Sequence, residues 1–104
     1  MSPKQVVVSP SAEKELKRLQ KKDLKLAIKT LDKLESGSGC LEIEKIKSHP
    51  AFFRIKAGNL RMVYYPLTSG RVVLLLVRDR KDAYRGLDAL DSRLTKAIRS
   101  MKVG

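Results

Sequence analysis

The chain has few of the residues that build metal centres, disulfides or membrane spans. Its 104 residues include one cysteine and one histidine, Cys40 and His49, so no internal disulfide and no metal-ligand cluster is expected. No run of 18 apolar residues occurs, which argues against a transmembrane helix, and residues 1–5 lack the apolar stretch of a secretory signal. A glycine-rich nucleotide loop is also missing. These absences predict a cytoplasmic protein with no cofactor and no membrane contact.

Acidic residues are scarce relative to basic ones. Lysine and arginine number 23 against 11 aspartate and glutamate residues, which gives a net charge of +12. A field of this sign raises the local concentration of polyanions and speeds their encounter with the protein. Nucleic acid or an acidic protein is therefore favoured as the partner over a basic surface that only confers solubility. The charge alone does not distinguish DNA, RNA and an acidic peptide.

The N-terminal part of the chain has the pattern of a short strand followed by two helices. The β-branched segment Gln5–Val8 predicts a strand. Ser9 then suits an N-cap with Pro10 at the first helical position, and this helix is expected to run to about Gln20. A second helix is predicted to start with Asp23 as its N-cap. Its apolar stripe is expected to comprise Leu24, Ala27, Ile28, Leu31 and Leu34.

Strand patterns dominate the second half of the chain. Residues 41–47 have a weak pattern and are expected to be partly extended. Residues 52–57 and 60–65 alternate between apolar and polar on either side of Gly58 and Asn59, which predicts a β-hairpin with a two-residue turn. Residues 71–77 form an unbroken apolar run, typical of a central strand that is covered on both faces.

A final helix is predicted after Gly86. The element order is then β-αα-βββ-α, with one further short strand possible near residue 44. We therefore expect a single α+β domain over residues 1–104 with a largely antiparallel sheet. The apolar stripe of the last helix is expected to dock on the protein's own core and comprises Leu87, Leu90, Leu94, Ile98 and Met101.

The predicted hairpin brings cations together. A two-residue turn pairs Lys56 with Arg61 and places Arg54 on the same face, because side chains alternate along a strand. Like charges at paired positions destabilise a sheet by up to ~1 kcal/mol. Such a pairing is most simply maintained when an anion lies between the cations. The alternative is that all three long side chains extend separately into water.

Further basic residues follow the predicted central strand. Arg78 and Arg80 lie at its end, with Tyr84 just beyond. Basic residues beside an aromatic ring can bind a phosphate while a base stacks on the ring. Tyr84 could equally anchor the C-terminal helix through its ring.

Two motifs resemble those of the RelE/ParE toxin superfamily. Residues 53–65 read Phe-Arg-Ile-Lys-Ala-Gly-Asn-Leu-Arg-Met-Val-Tyr-Tyr and are similar to the family's central hairpin, usually Tyr-Arg-Ile-Arg-x-Gly-x-Tyr-Arg-x-x-Tyr. Residues 77–84, Val-Arg-Asp-Arg-Lys-Asp-Ala-Tyr, are similar to a later motif, often His-Arg-Arg-Asp-x-Tyr. The opening strand and helical hairpin fit the same layout, so the resemblance covers roughly residues 5–84.

The resemblance implies the toxin half of a toxin–antitoxin pair, with an acidic antitoxin as partner. RelE-type members cut messenger RNA in the ribosomal A site through attack of the 2′-OH on the neighbouring phosphate. Matched to that branch, the expected catalytic residues are Arg54, Lys56, Arg61, Arg80 and Tyr84. Arg78 is an alternative to Arg80.

Some RNA-cutting relatives also carry Glu-x-x-Lys ahead of the hairpin. Glu44 and Lys47 have this spacing and would act as general base and phosphate contact, although a solvated glutamate is the alternative. Where relatives have histidine before the arginine, this chain has Asp79, which cannot be a cationic acid at neutral pH. Proton transfer would then fall to Lys56, Lys47 or Glu44. A ParE-like poison of DNA gyrase and a non-catalytic nucleic-acid-binding module remain alternatives.

Overall fold

Five strands and three helices make up the described part of the chain, in the α+β arrangement that the sequence predicts. The computed structural model describes residues 5–37, 41–67, 70–82 and 89–101. No helix among them is long and apolar enough to cross a membrane. The elements are β1 (Gln5–Val8), α1 (Pro10–Lys17), α2 (Lys21–Ser36), β2 (Glu42–Ile46), β3 (His49–Ala57), β4 (Leu60–Pro66), β5 (Arg71–Asp79) and α3 (Leu90–Met101).

The strands form one mixed sheet in the order β1-β5-β4-β3-β2. β1 runs parallel to β5, and every other neighbouring pair is antiparallel. The predicted hairpin register is confirmed, since Lys56 pairs with Arg61 and Ala57 with Leu60 around a turn in which Gly58 has a φ of 57°. β5 lies between β1 and β4 with residues 72–77 all buried, as expected of its unbroken apolar run.

The first helix ends earlier than the sequence predicts, and the second begins earlier. Ser9 caps α1 as predicted, since its Oγ accepts a hydrogen bond from the Ala12 N–H at 3.2 Å. However, α1 ends at Lys17, three residues before Gln20. The N-cap of α2 is Gln20 and not Asp23, which lies in the first turn, where its charge complements the positive end of the helix dipole.

The buried face of α2 is rotated from the predicted stripe. Ala27, Thr30 and Leu34 are buried, whereas Ile28 is 49% exposed, so its placement in the stripe was wrong. Thr30 can replace a larger apolar residue there because its hydroxyl donates to the Leu26 carbonyl at 2.7 Å and is satisfied within the helix. The expectation failed because a helix of this composition has more than one possible apolar face.

Each face of the sheet has its own apolar cluster. α1 and α2 pack on Ile55, Met62 and Leu74 on one face. On the other face, Leu90 and Ala97 of α3 are buried in the cluster that contains Leu75, Leu76 and Val63, with Leu94 packed against it. The prediction that the last helix docks on the protein's own core is therefore confirmed. Gly86 and Leu87, by contrast, lie outside the described residues.

A bulge in β5 changes which face its residues use. Tyr64 pairs with Leu74 and Val63 with Leu76, so that Leu75 is an extra residue between two paired positions. Leu75 and Leu76 consequently both contribute to the cluster under α3. Beyond the bulge the alternation is shifted by one residue, and Val77 belongs to the cluster under α1 and α2.

Truncation of α3's buried anchor should destabilise the protein far more than truncation of an exposed residue of similar size. Leu90 is fully buried, whereas Ile28 is half-exposed. We expect Leu90→Ala to lower the free energy of unfolding by about 2–5 kcal/mol, because it removes apolar contacts and leaves a cavity. Ile28→Ala should change it by less than about 0.5 kcal/mol. Urea unfolding followed by circular dichroism measures both, and equal effects would mean that α3 is not docked in solution.

Candidate nucleic-acid interface

Three cations occupy directly paired positions on adjacent strands. Lys56 of β3 pairs with Arg61 of β4, and Arg61 pairs with Arg78 of β5. Paired residues share a face of the sheet, and strands lie about 4.8 Å apart, so this cationic row spans roughly 10 Å. It lies on the face that carries α3. The row extends the two-residue pairing predicted from the hairpin to three strands, because the bulge turns Arg78 onto this face.

An ion pair on the neighbouring row neutralises Arg54. Arg54 is 9% exposed and lies opposite Glu44 of β2. Its Nε donates to Glu44 Oε1 at 3.1 Å, and its Nη2 contacts the same oxygen. Lys56 Nζ lies 3.8 Å from that oxygen. The anion expected between the cations is therefore, in part, the protein's own Glu44 carboxylate.

The cations around Glu44 stabilise its ionised form. The hydrogen bond from Arg54 is the largest influence and holds the pKa of Glu44 below its ordinary value near 4.5. Partial desolvation opposes this shift, while the charges of Arg54, Lys56 and Arg61 act in the same direction as the hydrogen bond. A carboxylate with a lowered pKa is a weaker base, so the geometry favours a positioning role for Glu44 over proton abstraction.

Arg61 is held across the hairpin turn by neutral acceptors. Its Nη1 donates to the carbonyl oxygens of Gly58 and Leu60, both at 2.9 Å. Carbonyl groups orient a guanidinium without cancelling its charge, and the other guanidinium N–H groups point along different directions of the same plane. Arg61 is therefore both ordered and cationic at the centre of the row.

A half-buried carboxylate on α1 holds Arg78 at the end of the row. Glu15 Oε2 accepts from Arg78 Nε at 3.0 Å. Glu15 Oε1 accepts from the Val77 backbone N–H at 3.0 Å and from Arg93 Nη1 of α3 at 3.4 Å. One carboxylate thus joins α1, β5 and α3 and fixes the direction of Arg78.

Glu15 is the residue that sequence reasoning missed. The signal was present, because Glu15 lies three residues after Ala12 and four before Leu19, within the apolar stripe of α1. An ionisable side chain at such a position indicates a buried polar partner. Its partners could not be inferred, since they lie more than 60 residues away in sequence.

The remaining candidates lie away from the row or outside the described residues. The Arg80 backbone N–H donates to the Asn59 carbonyl at 2.8 Å, which places this exposed residue beside the β3–β4 turn. Lys47 is exposed in the turn after β2, three residues beyond Glu44, and does not join the row. Tyr84 and Cys40 lie outside the described residues.

The described residues offer neither a metal-binding cluster nor a histidine beside the row. Within the described ranges, no group of three or more His, Cys, Asp or Glu residues is arranged to hold a metal. His49 begins β3, where its Nδ1 lies 2.9 Å from Ser48 Oγ and its ring packs edge-on against Phe52. The described side chains at and beside the row are those of lysine, arginine and glutamate.

Solved structures of RelE toxins, alone or with their antitoxins, have a similar fold. RelBE2 from Mycobacterium tuberculosis, a toxin–antitoxin complex, matches with a TM-score of 0.61 and 20% identity over 75% of this chain and 99% of that one. The RelB–RelE complex from Methanococcus jannaschii matches with a TM-score of 0.58 and 25% identity over 78% and 98%. An arginine-to-alanine double mutant of E. coli RelE in the free state matches with a TM-score of 0.57 and 19% identity. This match covers 95% of this chain and 98% of the RelE chain.

A comparison with protein families gives a match over most of the sequence. The family described as the ParE toxin of the type II toxin–antitoxin system parDE matches residues 6–84. A search of curated protein sequences gave no significant match. The matched range contains β2 to β5, all but the first residue of β1, and the whole cationic row. The chain therefore belongs to the ParE toxin family of the RelE/ParE superfamily and is the toxin of a type II toxin–antitoxin pair.

Proposed function

We propose that this toxin is an endoribonuclease that cuts messenger RNA in the ribosomal A site and so blocks translation. The observation that carries the proposal is the cationic row, in which Lys56, Arg61 and Arg78 occupy paired positions on three strands. Like charges at paired positions destabilise a sheet, and the carboxylates of Glu44 and Glu15 offset only the two ends of the row, Lys56 and Arg78. A phosphate bound between the side chains removes that repulsion.

The row suits a reaction in which the nucleophile belongs to the substrate. The ribose 2′-OH attacks the adjacent phosphorus, the bond to the 5′-oxygen of the next nucleotide breaks, and a 2′,3′-cyclic phosphate remains. Negative charge builds on the phosphate oxygens in the transition state. Ordered cations such as Arg61 stabilise that charge without reorganising, which is the largest catalytic contribution available to such a site.

The side chains of this site are less suited to proton transfer than to binding a phosphate. Arginine stays protonated, and Glu44 has a lowered pKa through its hydrogen bond with Arg54, so neither is a strong base at neutral pH. Alignment of the 2′-OH with the phosphate can supply about 7–11 kcal/mol of the barrier reduction. We therefore propose that the ribosome provides this alignment and that free RNA is cut poorly.

An acidic antitoxin is the partner that fits the charge. The net charge of +12 favours fast association with a polyanionic protein segment. Bound over the cationic row, such a segment would occupy the positions proposed for phosphate. Neutralisation of the toxin would then be direct competition for the same cations.

A second candidate function follows from the family match. The matching family is named for ParE toxins, and the ParE branch acts on DNA gyrase according to the resemblance described above. The same fold would then use the row to contact a protein. We favour RNA cleavage because three aligned cations suit a phosphodiester, and the two functions predict different cellular damage.

Replacement of the central cation should abolish cleavage. We expect Arg61→Ala to lower cutting of cellular messages at least about 100-fold, because it removes an electrostatic contact of the transition state and one phosphate ligand. Primer extension after induction in cells should show breaks within codons for the wild-type protein and none for the variant. Thermal unfolding of the purified variant checks that the fold is kept.

Arg71→Ala is the matched control for charge. Arg71 is exposed at the start of β5 and pairs with Gln5, at the end of the strand opposite Arg78. This variant loses the same charge and should still cut. Equal cleavage by both variants would contradict the site, and intact messages with blocked replication would support gyrase as the target.

The Glu44–Arg54 pair should make stability depend on pH below about 4.5. Because the folded-state pKa of Glu44 is lowered, its contribution is present above the unfolded value near 4.5 and is lost as pH falls through the folded value. Glu44→Gln should therefore lower the melting temperature more at pH 7 than at pH 2. Scanning calorimetry across this range measures the difference.

Glu42→Gln provides the control from the same strand. Glu42 is exposed and lies opposite Lys56, so its replacement removes an equal charge from β2. It should lower the melting temperature less than Glu44→Gln at pH 7. If the melting temperature of the wild-type protein exceeds that of Glu44→Gln by the same amount at pH 2 as at pH 7, the ion pair is not the cause of the difference.

A further inference from the structure

A cavity lies at the β5 end of the cationic row. It has a volume of about 390 Å³ and opens between the end of α1 and the end of β5. Arg78 belongs both to the row and to the lining of this cavity. The volume is within the range of small-molecule sites in proteins. The cavity lies on the α1 side of the sheet, and Arg78, whose side chain reaches Glu15 of α1 at the edge of β5, connects it with the row on the α3 side. A strand of RNA that leaves the row over this edge would bring its next nucleotide to the mouth of the cavity.

The lining of the cavity has a different charge balance from the rest of the protein. Three carboxylates, of Glu15, Asp79 and Asp82, and two guanidiniums, of Arg18 and Arg78, contribute to it. In a protein with a net charge of +12, carboxylates thus outnumber guanidiniums in the lining of this cavity. Phosphate is disfavoured there, and a neutral group with polar edges is favoured.

The shape and chemistry of the walls suit a flat ring. Leu19 and Val77 supply apolar surface, and Val77 is itself buried. An arginine side chain such as that of Arg18 can stack its guanidinium plane on a nucleobase. A nucleobase combines apolar faces with hydrogen-bonding edges, which matches this mixture of walls.

The Asp79 carboxylate can distinguish the bases, because it only accepts hydrogen bonds and the bases differ in the donors on their edges. The Lys81 backbone N–H donates to Asp79 Oδ1 at 3.0 Å and fixes the carboxylate, which has about four acceptor positions in all. Guanine presents two adjacent donors, N1–H and the N2 amino group, to one carboxylate. Adenine and cytosine have a ring nitrogen without hydrogen beside their amino group, and uracil has a carbonyl oxygen on each side of its one N–H. These ring nitrogens and carbonyl oxygens are hydrogen-bond acceptors, which a carboxylate repels.

We propose that this cavity is a guanine-binding subsite in which Asp79 accepts the Watson–Crick edge of the base and Arg18 stacks on its face. The inference rests on the proposed RNA substrate and assigns it a base preference next to the phosphate on the row. Glu15 supports both parts, because its carboxylate holds the Val77 backbone and Arg78 together.

Methyl NMR on the purified full-length toxin tests the subsite without relying on cleavage. The probes are guanosine and inosine 5′-monophosphates, which differ only in the N2 amino group. We expect guanosine monophosphate to shift the methyl signals of Leu19 and Val77 and to bind about tenfold more tightly than the inosine form, since a hydrogen bond to a charged acceptor is lost.

Asp79→Asn should bind both nucleotides equally, because an amide offers one acceptor and one donor group to guanine. Its side-chain oxygen can still accept the Lys81 N–H, so the turn is retained. Asp32→Asn, at an exposed position on α2, is the control and should keep the tenfold preference. Equal affinity of wild-type toxin for both nucleotides, or methyl shifts that leave Leu19 and Val77 unaffected, would overturn the subsite. If the proposed RNA cleavage is wrong, messenger RNA stays intact after induction in cells. That result does not depend on the nucleotide titration, so the two proposals can fail separately.

Discussion

The bulge at Leu75 is the constraint on which the candidate site depends. With an unbroken register from the Tyr64–Leu74 pair, Arg61 would lie opposite Val77, and Arg78 would turn to the other face of the sheet. The one extra residue moves Arg78 beside Arg61 and completes the row of three cations. The same insertion brings Leu75 and Leu76 together under α3. A single local irregularity therefore sets both the charge pattern of the interface and the packing of the last helix.

The bulge is held in place by side chains from two helices. β1 ends at Val8, and beyond it the edge of β5 needs other hydrogen-bond partners. The Leu75 carbonyl accepts from Ser11 Oγ at 3.3 Å and from Arg93 Nη1 at 3.2 Å, while Glu15 accepts from the Val77 N–H. Glu15 and Arg93 also contact each other. The edge of the sheet, the direction of Arg78 and the docking of α3 are thus parts of one polar network.

The sequence predicted those features that depend on neighbours along the chain. The hairpin register followed from Gly58 and Asn59 and the alternation on each side, and the cap at Ser9 followed from the proline after it. The bulge and the role of Glu15 were not predicted, because both arise from contacts between elements far apart in sequence. The error at Ile28 has the same origin, since the tertiary packing of α2 decides which of its apolar residues are buried.

The proposed role of the cationic row is to stabilise a phosphate under attack by a ribose 2′-OH. Its most direct test uses purified toxin and ribosomes that carry a defined message, either all-ribose or with one 2′-deoxynucleotide at the scissile position in the A site. We expect the ribose message to be cut within the A-site codon and to end in a 2′,3′-cyclic phosphate, whereas the deoxy message should stay intact. Equal cutting of both messages, or an uncut ribose message together with breaks in gyrase-bound DNA, would contradict it.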